Sequence, residues 1–172
     1  MSGKTNVQFG RVYLDSNILI AFLGHDSDSD TALTLSDMIM SVKEQPSPPY
    51  VTSELTFAEV LVRPMRAGFN LFGIENLLTT SNWLEVQPVS RNILWGAANL
   101  RSQHKGLKLP DAIHLATALA KRCTHVLTAD AGLKGQYRVD IYQDGQRRTG
   151  ESVEVIRPTT HALEALTNWQ KS

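Results

Sequence analysis

The chain has 172 residues, enough for one domain with a substantial core. Lysine plus arginine and aspartate plus glutamate number 17 each, so the formal net charge is zero and no whole-molecule field drives it toward nucleic acid. One cysteine, Cys123, excludes an internal disulfide and a cysteine-based zinc site, and at the end of an apolar helical pattern it reads as a packed side chain. No apolar run approaches the ~20 residues a bilayer span needs. The first ten residues lack an apolar signal core, so a cytoplasmic protein without membrane contact is expected.

Taken in order, 11–14 reads as a strand and 18–23 as an apolar helix. Asp15, Ser16 and Asn17 stand at the junction and are good N-cap types. An acidic loop with His25 follows, then a helix over 31–42 that the prolines from 46 to 49 stop. Residues 50–52 form a short strand. Ser53 can cap a helix running to about 66, with Pro64 near its end. A short helix over 71–79 leads to a strand at 83–86. A helix over 91–104 is closed by Gly106. Pro110 then opens an alanine-rich helix over 111–122. Strands at 125–128 and 153–156 and a helix at 160–169 complete the pattern. Between them, 134–150 is polar and contains Asp144-Gly145, a hairpin signal.

Alternating strands and helices predict an α/β chain: a three-layer α/β/α sandwich with a central, mostly parallel sheet and an inserted β-hairpin near 134–150. The whole chain, 1–172, is expected to be one domain, with a core at about 11–156 and a terminal helix at about 160–169.

Four acids stand where apolar strands end or helices run: Asp15, Glu59, Asp111 and Asp130. A carboxylate beside buried-type residues is costly unless neutralised or hydrogen-bonded, and four gathered together repel. A divalent cation resolves that conflict, and hard oxygen donors suit Mg²⁺ or Mn²⁺. Each acid also has a plainer reading. Asp15 and Asp130 can be caps or turn residues, Asp111 suits a helix's first turn, and Glu59 can pair with Arg63 one turn on. Ligands in parallel sheets bind beyond the carboxyl ends of the strands, where Asp15 and Asp130 should lie. Glu59 is the hardest to bring there.

The order of DSN after a first strand, TFAEVLVRP, PDAIHLATAL and a final LTAD resembles a PIN domain, over roughly residues 11–156. PIN domains are Mg²⁺- or Mn²⁺-dependent ribonuclease domains, represented by VapC-like toxins of bacterial toxin–antitoxin pairs. The resemblance implies an endoribonuclease with Asp15, Glu59, Asp111 and Asp130 as catalytic acids, and Asp15, Asp111 and Asp130 as first choices for metal ligands. It implies supporting roles for Asn17 and Thr128, a homodimer, an RNA substrate, an antitoxin partner, and products with a 5′-phosphate and a 3′-hydroxyl.

Candidate substrate contacts are Arg63, His114, Arg138, Arg147 and Arg148. His114 shares a helix face with Asp111, though a packed, hydrogen-bonded histidine is the plainer reading. The arginines of 134–150 are interleaved with tyrosines, as in single-strand binders and equally in protein interfaces. The alternatives are a non-catalytic PIN-like binding module and a phosphatase-like hydrolase with Asp15 as nucleophile. Against the latter, Asn17 stands where a second acid is wanted.

Overall fold

The computed structural model describes residues 9–24, 30–42, 46–143 and 146–171, apart from the side chains of 141–143 and 147. The acidic loop around His25 and the Asp144-Gly145 turn lie outside the described residues. The first half runs β1 (Val12–Leu14), α1 (Ser16–Phe22), α2 (Asp30–Met40), β2 (Tyr50–Ser53), α3 (Leu55–Val60), α4 (Val62–Ala67) and α5 (Phe72–Thr80). The second runs β3 (Leu84–Gln87), α6 (Arg91–Gln103), α7 (Leu109–Ala120), β4 (His125–Leu127), β5 (Gln136–Gln143), β6 (Gln146–Ile156) and α8 (Thr160–Lys171).

The strands form one sheet in the order β3-β2-β1-β4-β6-β5. All neighbours are parallel except β5 and β6, which pair antiparallel at one edge. Strand alternation sends Val12, Leu14, Tyr50 and Leu127 into one apolar cluster, and Tyr13, Val51 and Val126 into another. Leu19 of α1, Leu35 of α2 and Leu163 of α8 complete the first cluster, and Ile93 of α6 and Leu115 of α7 the second. Two cores, one per face, make the three-layer sandwich expected from the alternating pattern. β1 is buried along its whole length, which is why it reads as an uninterrupted apolar run.

Two expectations need correction. The helix expected over 53–66 is broken at Leu61 into α3 and α4. Pro64 has no N–H to donate to the Val60 carbonyl, and its ring crowds that turn. The hairpin expected near 134–150 forms, but the strand expected at 153–156 starts earlier: the hairpin's return limb runs unbroken into it, giving the single strand β6 that pairs with β4. Local pattern could not show that continuity, because a polar strand half lacks the alternation that marks a buried one.

Helix α7 is buried from Ala112 through Thr117 to Ala118, between the sheet and α6. Its small side chains suit that double burial. At Gly96 of α6 an added Cβ would come within 3.2 Å of the Ala116 Cβ, so a side chain there would push the helices apart. The packing that presents the first turn of α7 therefore depends on small residues on both helices.

Leu115 is fully buried in this layer. Leu115→Ala is expected to lower the unfolding free energy by about 2–5 kcal/mol. The same truncation at Trp95, 73% exposed on α6, should change it by no more than about 0.5 kcal/mol. Urea denaturation midpoints at constant slope check both.

Candidate active site

The strand order reverses between β1 and β4, and a crevice beyond the carboxyl ends of the strands is expected at that point. The chain crosses it through hydrogen bonds. Asp15 N–H donates to the Leu127 carbonyl at 3.1 Å, and Thr128 N–H to the Ile156 carbonyl at 3.1 Å. Asp15, only 6% exposed, caps α1 by accepting from Ser16 N–H at 2.8 Å on Oδ1. Its Oδ2 accepts from Asn17 Nδ2 and Thr128 Oγ1, both at 2.5 Å. A carboxylate has about four acceptor sites. Oδ2 is therefore filled, and Oδ1 is the oxygen with a lone pair to offer.

Asn17 and Thr128 clasp the two strand ends together. Asn17 Oδ1 accepts from Ala129 N–H at 2.8 Å, and its Nδ2 reaches Thr128 Oγ1 at 3.0 Å. Thr128 Oγ1 also accepts from Asp130 N–H at 3.0 Å. Asp130 in turn accepts from Gly132 N–H on Oδ1 at 2.8 Å, a turn that aims its side chain. Asp15 and Asp130 are thus a cap and a turn residue, and each also follows a strand end on the rim.

Asp111 enters from the first turn of α7. Burial pushes its carboxyl above the usual aspartate value, and the charges of Asp130 and Asp15 push it further. Asp111 therefore lies within electrostatic reach of both other aspartates. Among the described residues, no three acidic, histidine or cysteine side chains form a ready-made metal cage. Mg²⁺ keeps several waters and needs only one or two carboxylates, so an all-oxygen, mutually repelling set fits such an ion.

Glu59 reaches this region through a histidine. His114 Nε2 is 2.8 Å from Glu59 Oε2 and 3.9 Å from Asp15 Oδ1. The Tyr13 hydroxyl meets its Nδ1 at 2.6 Å. The hydrogen bond from His114 holds the Glu59 carboxyl below the usual glutamate value, against a partial burial that would raise it. His114 itself is 2% exposed, packed and hydrogen-bonded.

The arginines divide. Arg63 is exposed and borders an apolar groove of about 340 Å³ that Glu59 also lines. The hairpin arginines lie toward the far end of the sheet. Ile156, opposite Leu127, marks the rim, and Arg148 precedes it by eight residues on the same strand. That is roughly 26 Å of strand. Arg147 of β6 lies beyond that, and Arg138 of β5 pairs with Ser152, part-way down. Their register carries their backbone positions away from the acids. Arg157 went unnoticed in the sequence. Its guanidinium donates to the Thr128 carbonyl at 3.0 Å and also to those of Asp130 and Leu133, pinning the loop that carries Asp130. Its one sequence signal is a position just past a strand end, beside Pro158. Cys123 is buried, and burial pushes its thiol up to about 12, which leaves it protonated and inert at neutral pH.

A family model described as PIN domain matches residues 12–140. The chain belongs to the PIN domain family. Solved structures share the fold. A toxin–antitoxin complex from Klebsiella pneumoniae matches with TM-score 0.54 and 24% identity, over 86% of this chain and 98% of that one. VapC20 of Mycobacterium tuberculosis, described as a toxin that cleaves the sarcin–ricin loop, matches with TM-score 0.54 and 15% identity over 70% and 90%. FitAcB from Neisseria gonorrhoeae matches with TM-score 0.50 and 19% identity over 70% and 88%. No curated protein matches the chain. In this PIN domain Asp15 and Asp130 follow strand ends beside the strand-order reversal, both bear electrostatically on Asp111, and Glu59 bonds to His114.

Two aspartates should respond oppositely to neutralisation in the metal-free protein. Asp15→Asn sets an amide with a single acceptor oxygen against three donors, and should cost roughly 1.5–3 kcal/mol. The Asp111 carboxyl binds its proton more tightly folded than unfolded. Its charge therefore opposes folding as pH rises past the unfolded value, and Asp111→Asn should raise the neutral-pH melting temperature. Thermal melts in EDTA check both signs.

Proposed function

We propose that this PIN domain is a divalent-metal-dependent endoribonuclease that hydrolyses RNA phosphodiester bonds, and that it is the toxin of a toxin–antitoxin pair. The observation that carries the reading is the Asp111 carboxyl, pushed up by burial and by the charges of Asp130 and Asp15, the two acids that follow strand ends beside the strand-order reversal. An acid kept at that cost is explained by a cation that removes it. Family membership and the descriptions of the similar structures support the same reading.

In this reading Asp111 and Asp130 would hold an Mg²⁺ or Mn²⁺ ion with the open oxygen of Asp15, while Asn17 and Thr128 keep Asp15 in place. Such an ion would supply charge stabilisation on the phosphate and a water of lowered pKa. Glu59, held by His114, would orient a water beside it. Arg63 is the basic side chain we assign to the RNA backbone near the acids. The hairpin arginines are assigned no part in substrate binding.

The antitoxin is assigned to the groove between α1, α3, α4 and α5, walled by Ile20, Leu23, Val60 and Ile74 and edged by Arg63 and Arg66. An apolar floor with cationic edges suits an amphipathic segment with acidic flanks. Exposed Met65, Phe69 and Phe72, with zero net charge, support self-association as a homodimer in the cytoplasm.

Wild type should cut single-stranded RNA with Mg²⁺ or Mn²⁺ and stop on adding EDTA. Asp111→Asn should lower the rate at least about 100-fold, the equivalent of several kcal/mol of lost charge stabilisation. Calorimetry with Mn²⁺ should show weakened binding in the same variant. Cleavage that survives both EDTA and Asp111→Asn would overturn the metal assignment. RNA binding without cleavage by wild type would favour the non-catalytic module.

A further inference from the structure

Glu59 stands on α3, a helix that ends one residue later at Val60. Its side chain is about a third exposed, and a short helix with a solvated glutamate would by itself leave that carboxylate a choice of rotamers. What restrains it comes from elsewhere in the chain, from the Ser16 hydroxyl and first of all from His114. His114 on α7 is fixed by burial, and its two ring nitrogens have separate partners: the Tyr13 hydroxyl at 2.6 Å on Nδ1 and Glu59 Oε2 at 2.8 Å on Nε2. Tyr13 is the residue two before Asp15 on β1, and His114 is three after Asp111 on α7. The three side chains therefore connect the strand that carries Asp15, the helix that carries Asp111, and the helix that carries Glu59.

We propose that His114 is the positioning residue for Glu59. In its Nε2–H tautomer, set by a hydrogen bond from the Tyr13 hydroxyl to Nδ1, it holds the Glu59 carboxylate at the acid rim. The catalytic part of this inference rests on the nuclease reading above; the tautomer and the grip on Glu59 do not.

The direction of the hydrogen bonds follows from what Glu59 can do. A carboxylate only accepts, so the ring nitrogen 2.8 Å from Glu59 Oε2 carries the N–H. In a neutral ring Nδ1 is then the acceptor, and the Tyr13 hydroxyl at 2.6 Å donates to it. The Nε2–H faces Glu59 at bonding distance, with Asp15 Oδ1 further off at 3.9 Å. The arrangement has the form of a carboxylate–histidine pair in which a third group fixes the ring, one that orients a side chain without reaching substrate.

The test uses two substitutions that each keep one half of the ring's bonding. His114→Gln extends far enough to donate to Glu59 but loses the Tyr13 partner. His114→Asn can still meet the Tyr13 hydroxyl but falls short of Glu59. If His114 acts through Glu59, His114→Asn should lower kcat for Mg²⁺-dependent RNA cleavage by about 10–100-fold. KM should be little changed, the loss should match that of Glu59→Gln, and His114→Gln should recover most of it. Equal losses in both variants, with melting temperatures at the wild-type value, would overturn the positioning role. Nitrogen-15 spectra of the wild-type ring, recorded without metal or substrate, should show a protonated Nε2 and a bare Nδ1. A proton on Nδ1, alone or together with one on Nε2, would overturn the tautomer. Should wild type fail to cut RNA, the nuclease reading falls and the ring spectrum still decides the grip. An Nε2 proton resonance that moves in Glu59→Gln supports it, and one that does not move refutes it.

Discussion

Nearly every feature of the candidate site depends on one constraint: a carboxylate placed at the end of a fully buried strand must have its lone pairs filled. At Asp15 the fold meets that need with the first N–H of α1, the Asn17 amide and the Thr128 hydroxyl. Those donors come from both sides of the strand-order reversal, so satisfying one buried charge also joins β1 to β4. The joint then fixes the loop of Asp130, because the Thr128 hydroxyl that donates to Asp15 accepts from the Asp130 N–H. Arg157 reinforces it from β6 by binding carbonyls along the same loop. A charged group that would destabilise an unprepared core has become the point at which three strands are held in register.

The remaining acids are delivered by helices, and their cost is borne differently. Among the described residues, Asp111 has no comparable set of donors. Its neighbours Asp15 and Asp130 disfavour its ionised form, and burial adds to that. The fold tolerates this because α7 is anchored elsewhere, over residues 112 to 118, between the sheet and α6. Close helix contact at Gly96 and Ala116 transmits that anchoring to the first turn. An unfavourable charge at one end of a well-packed helix is a small term beside the apolar burial along its length. Glu59 is in the opposite state, since a buried histidine favours its ionised form. Acids whose proton affinities are pushed apart by their surroundings are the arrangement that acid–base and metal chemistry use.

The apolar groove beside Glu59 connects this chemistry to a surface. It is built from α1, which Asp15 caps, and from α3 and α4, which Pro64 divides. The break at Leu61 turns Val62, Arg63 and Arg66 toward the groove, so a proline that divides the backbone also shapes a concave surface one turn from Glu59. The hairpin lies elsewhere. It extends the sheet on the side away from the rim, and Asn99 of α6 ties β5 in place by exchanging hydrogen bonds with the Asp140 backbone.

The sequence by itself determined what depends on residues near one another in the chain. Burial on both faces leaves a continuous apolar run at 12–14 and an alanine-rich run at 112–118, so the layers and the parallel sheet were legible, as were the rim positions of Asp15 and Asp130 just past strand ends. Asp111 in a first turn was legible for the same reason. Only the tertiary structure decided what depends on distant segments meeting. Glu59 and His114 are 55 residues apart, and Tyr13 and His114 are 101 apart. No periodicity encodes those hydrogen bonds, nor the carbonyls Arg157 would find. The hairpin's direction was hidden too, because it follows from the register of β6 against β4. A polar strand has no buried face to announce its register, so the arginines near Asp130 in sequence could be read as its partners when the strand carries them the other way.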